Sequence, residues 1–204
     1  LDARADWALG ESHLLSLGFN GWQMSASPDR RMFNEGQYVS NNPFADGRLR
    51  AAGVYLQDDM RFGKLGVVAG LRYDRVTGKA ASVGNGAVTD GLKRNDGAWS
   101  GSLGVMYEVH PLLRPYASVA RGCRAGEMRE RFEASPRGDG YFYLGIPQIR
   151  PETAHQFELG VKGQDERLQW FASVWRSRIG NYITGVDTGG FQNGVPVRNT
   201  VNLG

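Results

Sequence analysis

Residues 64–75 read KLGVVAGLRYDR, and their alternation decides the fold. The odd positions are Leu65, Val67, Ala69, Leu71 and Tyr73; the even ones are Lys64, Gly66, Val68, Gly70, Arg72 and Asp74. One face is apolar and the other small or polar, as a one-sided β-strand requires. Residues 98–109, AWSGSLGVMYEV, repeat the split, with Trp99, Gly101, Leu103, Val105, Tyr107 and Val109 against Ala98, Ser100, Ser102, Gly104, Met106 and Glu108. So do 13–23 (Leu15, Leu17, Phe19 against Ser16, Gly18, Asn20) and 155–162 (His155, Phe157, Leu159, Val161 against Gln156, Glu158, Gly160, Lys162). Weaker versions at 3–9, 51–62, 114–122 and 167–178 bring the count to about eight strands, many near the 9–11 residues that cross a bilayer when tilted.

The links between strands alternate in length. Gly10-Glu11-Ser12, Phe62-Gly63, His110-Pro111-Leu112 and Gly163-Gln164-Asp165-Glu166 are tight, whereas 25–50, 77–96, 123–152 and 180–200 are long and polar. Two accounts fit the alternation alone. A soluble sandwich buries its apolar face in a core. An outer-membrane barrel shows that face to lipid and turns the polar face to its lumen. Strand length, the short–long pattern of links and the aromatics favour the barrel. Trp99 and Tyr107 share a face eight residues apart; at about 3.3 Å per residue and a tilt near 40° they are about 20 Å apart along the membrane normal. That spacing suits two aromatic girdles, and Trp7, Trp22, Tyr73 and Trp170 are further candidates for them.

Composition narrows the function. The 204 residues carry 29 Gly and 11% aromatics, with a net charge of +3, too small to argue for a polyanion partner. Mean hydropathy is −0.42, and no run of 18 apolar residues forms a transmembrane helix. The single cysteine, Cys123, closes no internal disulfide. His13 and His110 fall at short turns and His155 at the opposite end of a strand, so they do not converge; a His155–Glu152 pair at the rim is the only seed of a hydrolytic site. Gly84-Asn85-Gly86 lacks the Lys and helix of a phosphate loop.

The stretch 121–132, RGCRAGEMRERF, stands apart. Glu127, Glu130 and Glu133 interleave with its arginines, so it offers no continuous basic face, and stacking aromatics for nucleic acid are missing. It reads as the top of a strand entering a loop, with little support for a helix. Arg124, Arg129 and Arg131 are expected to form a network with those carboxylates. Arg124 and Arg129 could also attract an anionic ligand, since guanidinium binds carboxylate or catecholate oxygens through paired bonds, with Tyr141 and Tyr143 as an aromatic wall. Cys123 and Met128, with Met24 and Met32 on a neighbouring rim, are soft donors suited to Cu(I); the simpler reading makes Cys123 a small hydrophobe.

YASVARGCRAGEMRERF and GIPQIRPETAHQFELGVKG, within 116–163, resemble the late barrel of TonB-dependent outer-membrane receptors. Arg121, Gly122, Arg124, Ala125, Pro147, Pro151, Glu152, Gln156, Phe157, Glu158, Leu159 and Gly160 match that family's habitual pattern. Cys123, Gly126 and Ile146 depart from its Phe, Pro and Asn. Residues 54–74 and 170–183 resemble further strands of the family. The resemblance implies an antiparallel transmembrane β-barrel segment over residues 1–204, about a third of a large barrel. The plug domain, the TonB-contacting segment and the C-terminal strands would lie outside it. It implies a bacterial outer-membrane receptor, not an enzyme, without a cofactor of its own. Uptake of a metal chelate (a ferric siderophore, haem or cobalamin) would be driven through the plug and the TonB-ExbB-ExbD complex. Arg72, Asp74, Gln156, Glu158 and Lys162 would then face the plug. A small self-contained barrel in adhesion or structure, and a soluble β-rich binding domain, are the competing readings.

Overall fold

The structure is a computed structural model that describes residues 1–204, the side chain of Asn34 excepted. In chain order its elements are β1 (Asp2–Leu9), β2 (His13–Ala26), β3 (Arg31–Asn34), β4 (Gln37–Ser40), β5 (Phe44–Ala45) and β6 (Gly47–Phe62). There follow β7 (Leu65–Lys79), β8 (Ser82–Val83), β9 (Lys93–Tyr107), β10 (Arg114–Arg124) and α1 (Met128–Phe132). The remainder are β11 (Ala134–Pro136), β12 (Phe142–Leu144), β13 (Glu152–Gln164), β14 (Gln169–Gly180), β15 (Tyr182–Gln192) and β16 (Val195–Leu203).

Eight long strands form one antiparallel sheet in the order β1-β2-β6-β7-β9-β10-β13-β14. These are the eight strands expected from the alternation, most of them a few residues longer at the end facing the long links. The sheet is open, with β1 and β14 at its edges. The short turns all lie at one end, and the long links, which hold β3–β5, β8, and α1 with β11 and β12, all lie at the other. The β15–β16 hairpin joins that second end, where β16 runs parallel to β12 in a separate four-stranded sheet.

The register keeps the two faces unmixed. The row Phe19–Val54–Tyr73–Trp99 continues across β2, β6, β7 and β9, and the row below it reads Leu17–Leu56–Leu71–Gly101. Leu17, Val54, Leu71, Trp99, Val119, Phe157 and Val174 on this face are all exposed. So much solvent-facing apolar surface has no place in water and marks a surface built for another medium. Tyr73 and Trp99 pack with ring centroids 4.8 Å apart, as a girdle pair should. Beyond them the same face turns basic with Arg75, Lys79 and Lys93. Trp22 departs from expectation: paired with Ala51, it lies on the polar face with Ser16, Gly18 and Asn20, and so belongs to no girdle.

The polar face is knit by cross-strand bonds. Arg72 of β7, steadied by Asp74 on its own strand at 2.6 Å, donates to Asn20 of β2 at 2.6 Å, and the Tyr116 hydroxyl of β10 donates to Glu158 of β13 at 2.7 Å. Glycine is what lets the tyrosines lie flat here. Gly18 is opposite Tyr55, and Gly160 is opposite Tyr116. A Cβ on Gly18 would come within 2.2 Å of the Tyr55 ring, and one on Gly160 within 2.5 Å of the Tyr116 ring. These two glycines thus seat aromatic rings across the ladder.

Gly18→Ala and Gly160→Ala should each destabilise the sheet by about 1–3 kcal/mol through overpacking, seen as a lower temperature for the shift between folded and unfolded gel mobility. Gly122→Ala, with no atom within 4 Å of its added carbon, should leave that temperature unchanged.

Candidate functional site: the mouth cavity

The long-link end holds the buried core. Phe44, Leu49, Leu92, Met128 and Phe132 cluster there, with Ala26, Ala80 and Val83 packed against them. The core therefore belongs to the loops and the strand tops, not to the middle of the sheet.

RGCRAGEMRERF does contain a helix, contrary to the sequence reading. β10 runs to Arg124, and α1 begins four residues later. The Glu130 carboxylate turns back to accept the Glu127 N–H at 2.7 Å, which satisfies a donor that the first turn leaves free. Met128, Arg131 and Phe132, at helical spacing, are all buried. The Glu-x-x-Glu pair and this i, i+3, i+4 triplet were the signals available in the sequence.

Arg131 fixes the helix to the sheet. Its side chain is 1% exposed, and its guanidinium donates to Asp96 of β9 at 2.5 Å, to the Gly126 carbonyl at 2.8 Å and to the Pro147 carbonyl at 3.0 Å. Asp96, 4% exposed, also accepts from Arg94 at 2.9 Å. The expected network is therefore differently wired. Arg131 pairs with Asp96, Glu133 pairs with Arg137, and Arg124 pairs with Glu130 and Glu152. Arg129 makes no ion pair among the described residues and is exposed.

Arg124 binds Glu130 through two nitrogens, at 2.9 and 3.0 Å, and Glu152 through Nε at 2.7 Å. The second Glu152 oxygen accepts the Ile183 N–H of β15 at 2.7 Å. Glu152 is thus engaged with Arg124 on the polar face, while His155 lies on the apolar face opposite Arg121 and Arg178. The His155–Glu152 seed of a hydrolytic site does not exist, because an odd separation along a strand puts the two side chains on opposite faces.

A cavity of 670 Å³ opens between the strand tops and the 124–129 segment. Trp22, Met24, Phe44, Leu49, Val76 and Met128 supply apolar wall; Arg124, Arg129, Asp74, Asp96 and Glu127 supply charge. Cys123 borders it, its Sγ 3.3 Å from the Trp99 carbonyl oxygen. Of the expected soft donors, Met24 and Met128 share this cavity, Cys123 turns its side chain to the apolar face with Arg121, and Met32 lines a different cavity. No group of three His, Cys, Asp or Glu able to hold a metal occurs among the described residues. Trp22, expected in a girdle, is the wall residue that sequence reading missed. Its even position in β2 was the available signal.

Tyr141 and Tyr143 lie outside this cavity. Arg198 stacks on Tyr141 with its guanidinium carbon 3.6 Å from the ring centre, and Arg137 stacks on Tyr143 at 3.8 Å. The Tyr143 hydroxyl donates to Asp139 at 2.6 Å, and the Tyr141 N–H donates to it at 3.2 Å. Both rings are therefore already paired within the loops.

An antiparallel sheet with an exposed apolar band, short turns at one end and a loop-built cavity at the other defines the wall of a transmembrane β-barrel. A family model described as TonB dependent receptor-like, beta-barrel, matches residues 1–204, and the chain belongs to that family of bacterial outer-membrane barrels. Among solved structures, the copper transporter OprC superposes with a TM-score of 0.74 at 17% identity, over 98% of this chain and 31% of its own. The hemophore receptor HasR of Serratia marcescens, solved with its hemophore HasA and heme, gives 0.69 at 18% identity, over 98% and 36%. The FrpB iron transporter of Neisseria meningitidis (F3-3 variant) gives 0.69 at 20%, over 98% and 30%. The chain thus spans about a third of the length of these structures, and likeness at such identities speaks for the fold alone. No curated protein matches the sequence.

Arg131→Gln should weaken loop docking by about 3 kcal/mol, the low end for breaking a buried pair because Arg94 still faces Asp96. Chymotryptic cleavage between Phe132 and Tyr143 should rise while the gel mobility of the folded sheet is kept. A second expectation concerns Asp139, whose carboxyl is held below its ordinary value by the Tyr143 hydroxyl and then by the Tyr141 N–H. A lowered folded pKa gives stability that is present above the ordinary carboxylate value and lost as pH falls through the lowered one. Protection of the Tyr141 amide from exchange, corrected for intrinsic rate, should be flat at neutral pH and vanish only in that acid range.

Proposed function

We propose that the chain forms part of the wall and mouth of an outer-membrane receptor for TonB-dependent uptake of a scarce metal chelate such as a ferric siderophore. The receptor's own plug domain and the TonB-ExbB-ExbD complex would supply the gating and the energy. On this reading residues 1–204 are one section of a larger barrel wall, and the protein transports rather than catalyses. The mouth cavity is the observation that carries it. Its 670 Å³ falls in the size range of small-molecule sites, and it combines an apolar wall with guanidinium groups. Arg124 and Arg129 would attract anionic chelate oxygens, and Trp22 and Phe44 would pack against the ligand's apolar parts. Tyr141 and Tyr143 would act at the loop surface, after release from their arginines. The Met24 and Met128 sulfurs beside the same cavity support a second reading, a receptor for copper or another soft-metal cargo. Haem and cobalamin remain within the same class of cargo. A small barrel with an adhesive or structural role would leave the cavity without a task.

In the complete receptor, Arg124→Gln combined with Arg129→Gln should weaken binding of a ferric catecholate or carboxylate chelate about tenfold at low salt, with a shallower salt dependence. Quenching of Trp22 fluorescence would follow the titration. Unchanged affinity at low salt would remove the anionic-chelate reading. Loss of copper uptake in Met24→Leu combined with Met128→Leu, with chelate binding intact, would favour the second.

A further inference from the structure

Four basic residues gather near the long-link end of the apolar face. Arg121, His155 and Arg178 are direct neighbours across β10, β13 and β14, and Arg176 is one step along β14 beside Phe157. All four are exposed. β10, β13 and β14 place no carboxylate on this face: Glu152 and Glu158 point to the polar side, and β10 and β14 contain no acid. Among the described residues, His155, Arg176 and Arg178 make no ion pair, and Arg121 donates only to the Trp99 carbonyl. Three guanidiniums on a lipid-facing surface without a counter-charge need an anion from outside the chain.

Their height indicates which anion. Arg121 is seven residues above Arg114, and Arg178 nine above Gln169. At about 3.3 Å per residue and a tilt near 40° these are rises of about 18 and 23 Å. Trp99, eight residues above Tyr107, rises about 20 Å by the same measure. The cations are therefore level with the girdle that ends the apolar band on the long-loop side. The cations and the row just below them, Leu103, Val119 and Phe157, together line a groove of 850 Å³. A cationic head above an apolar groove, at the border between hydrocarbon and water, matches a molecule with a phosphate above an acyl chain.

We infer that this surface is a binding site for a phosphorylated lipid of the leaflet on the long-loop side. Its phosphate is held by Arg121 and Arg178, with Arg176 and His155 as further donors, and its chain lies in the groove below. The inference rests on the barrel being seated in a bilayer, as proposed above.

The test uses the complete receptor in a neutral detergent, offered phosphatidic acid and phosphatidylcholine in equal amounts, with retained lipid counted by native mass spectrometry. Phosphatidic acid should be favoured about tenfold, and Arg121→Gln with Arg178→Gln should abolish most of the preference. No preference in the unaltered protein would overturn the inference. So would a preference that survives in a variant whose folded gel mobility is normal. Displacement of the lipid by millimolar inorganic phosphate would also overturn it, by making the site one for free phosphate. The unaltered protein decides the matter even if the double variant fails to fold. Flotation with vesicles separates the two levels: a protein that does not float loses its seat in a bilayer, whereas one that floats without lipid preference loses this site alone.

Discussion

Hydrocarbon offers no partner to an N–H or a carbonyl, and the strand architecture answers that constraint. Every crossing segment has to satisfy its backbone through its neighbours. The ladders accordingly run in unbroken register, from Asp2↔Asn20 to Leu9↔His13, from Arg48↔Lys79 to Phe62↔Leu65 and from Thr153↔Gly180 to Gln164↔Gln169. A strict period of two then follows. A slip of one residue would turn Leu71 and Trp99 inward and carry Arg72 and Asp74 out to the lipid side. Asp58, the one carboxylate of these strands on the apolar face, is close to a short turn and meets His13 at 2.8 Å. Register, strand length and charge placement are three expressions of one demand.

The loops obey a different physics. They lie where water is available, and their stability comes from packing and buried ion pairs of the kind found in soluble proteins. Phe132 and Arg131, both 1% exposed, are among the most buried side chains described, and both belong to a loop. Arg30 of the β2–β6 link donates to Ser135 at 2.7 Å and to the Pro136 carbonyl at 3.0 Å, joining two loops that are far apart in sequence. The mouth is thus a small globular assembly built on a membrane sheet, and the cavity lies at the junction of the two.

The division explains what the sequence reveals. Strand positions, faces and turn polarity can be read from it because alternation is local and the ladder has to preserve it. Residues 98–109 announce their faces without reference to any other strand. The loop core cannot be read in that way. Arg131 looks like one charge among many until Asp96, 35 residues away, is brought beside it. Tyr141 and Tyr143 look like a free aromatic wall until Arg198 and Arg137 cover them. The cluster of Arg121, His155 and Arg178 emerges only from register, since the sequence scatters it over three strands. The helix was legible in its Glu-x-x-Glu signature but was obscured by the run of charges around it.

Arg124 is occupied before any ligand arrives. Its guanidinium is fully engaged by two carboxylates of its own chain, one of which also holds the backbone of β15. An arriving anion would exchange with these internal ligands rather than fill an empty place. Exchange discounts every candidate by the same cost, so a simple monoanion gains almost nothing, whereas a multidentate ligand can repay the loss of two contacts. The pre-occupied arginine would therefore act as a threshold that keeps abundant small ions from competing. Crossing it would also release the Glu152 tether between the loop after β10 and the β15–β16 hairpin, so that occupancy at the mouth and movement of the loops become one event.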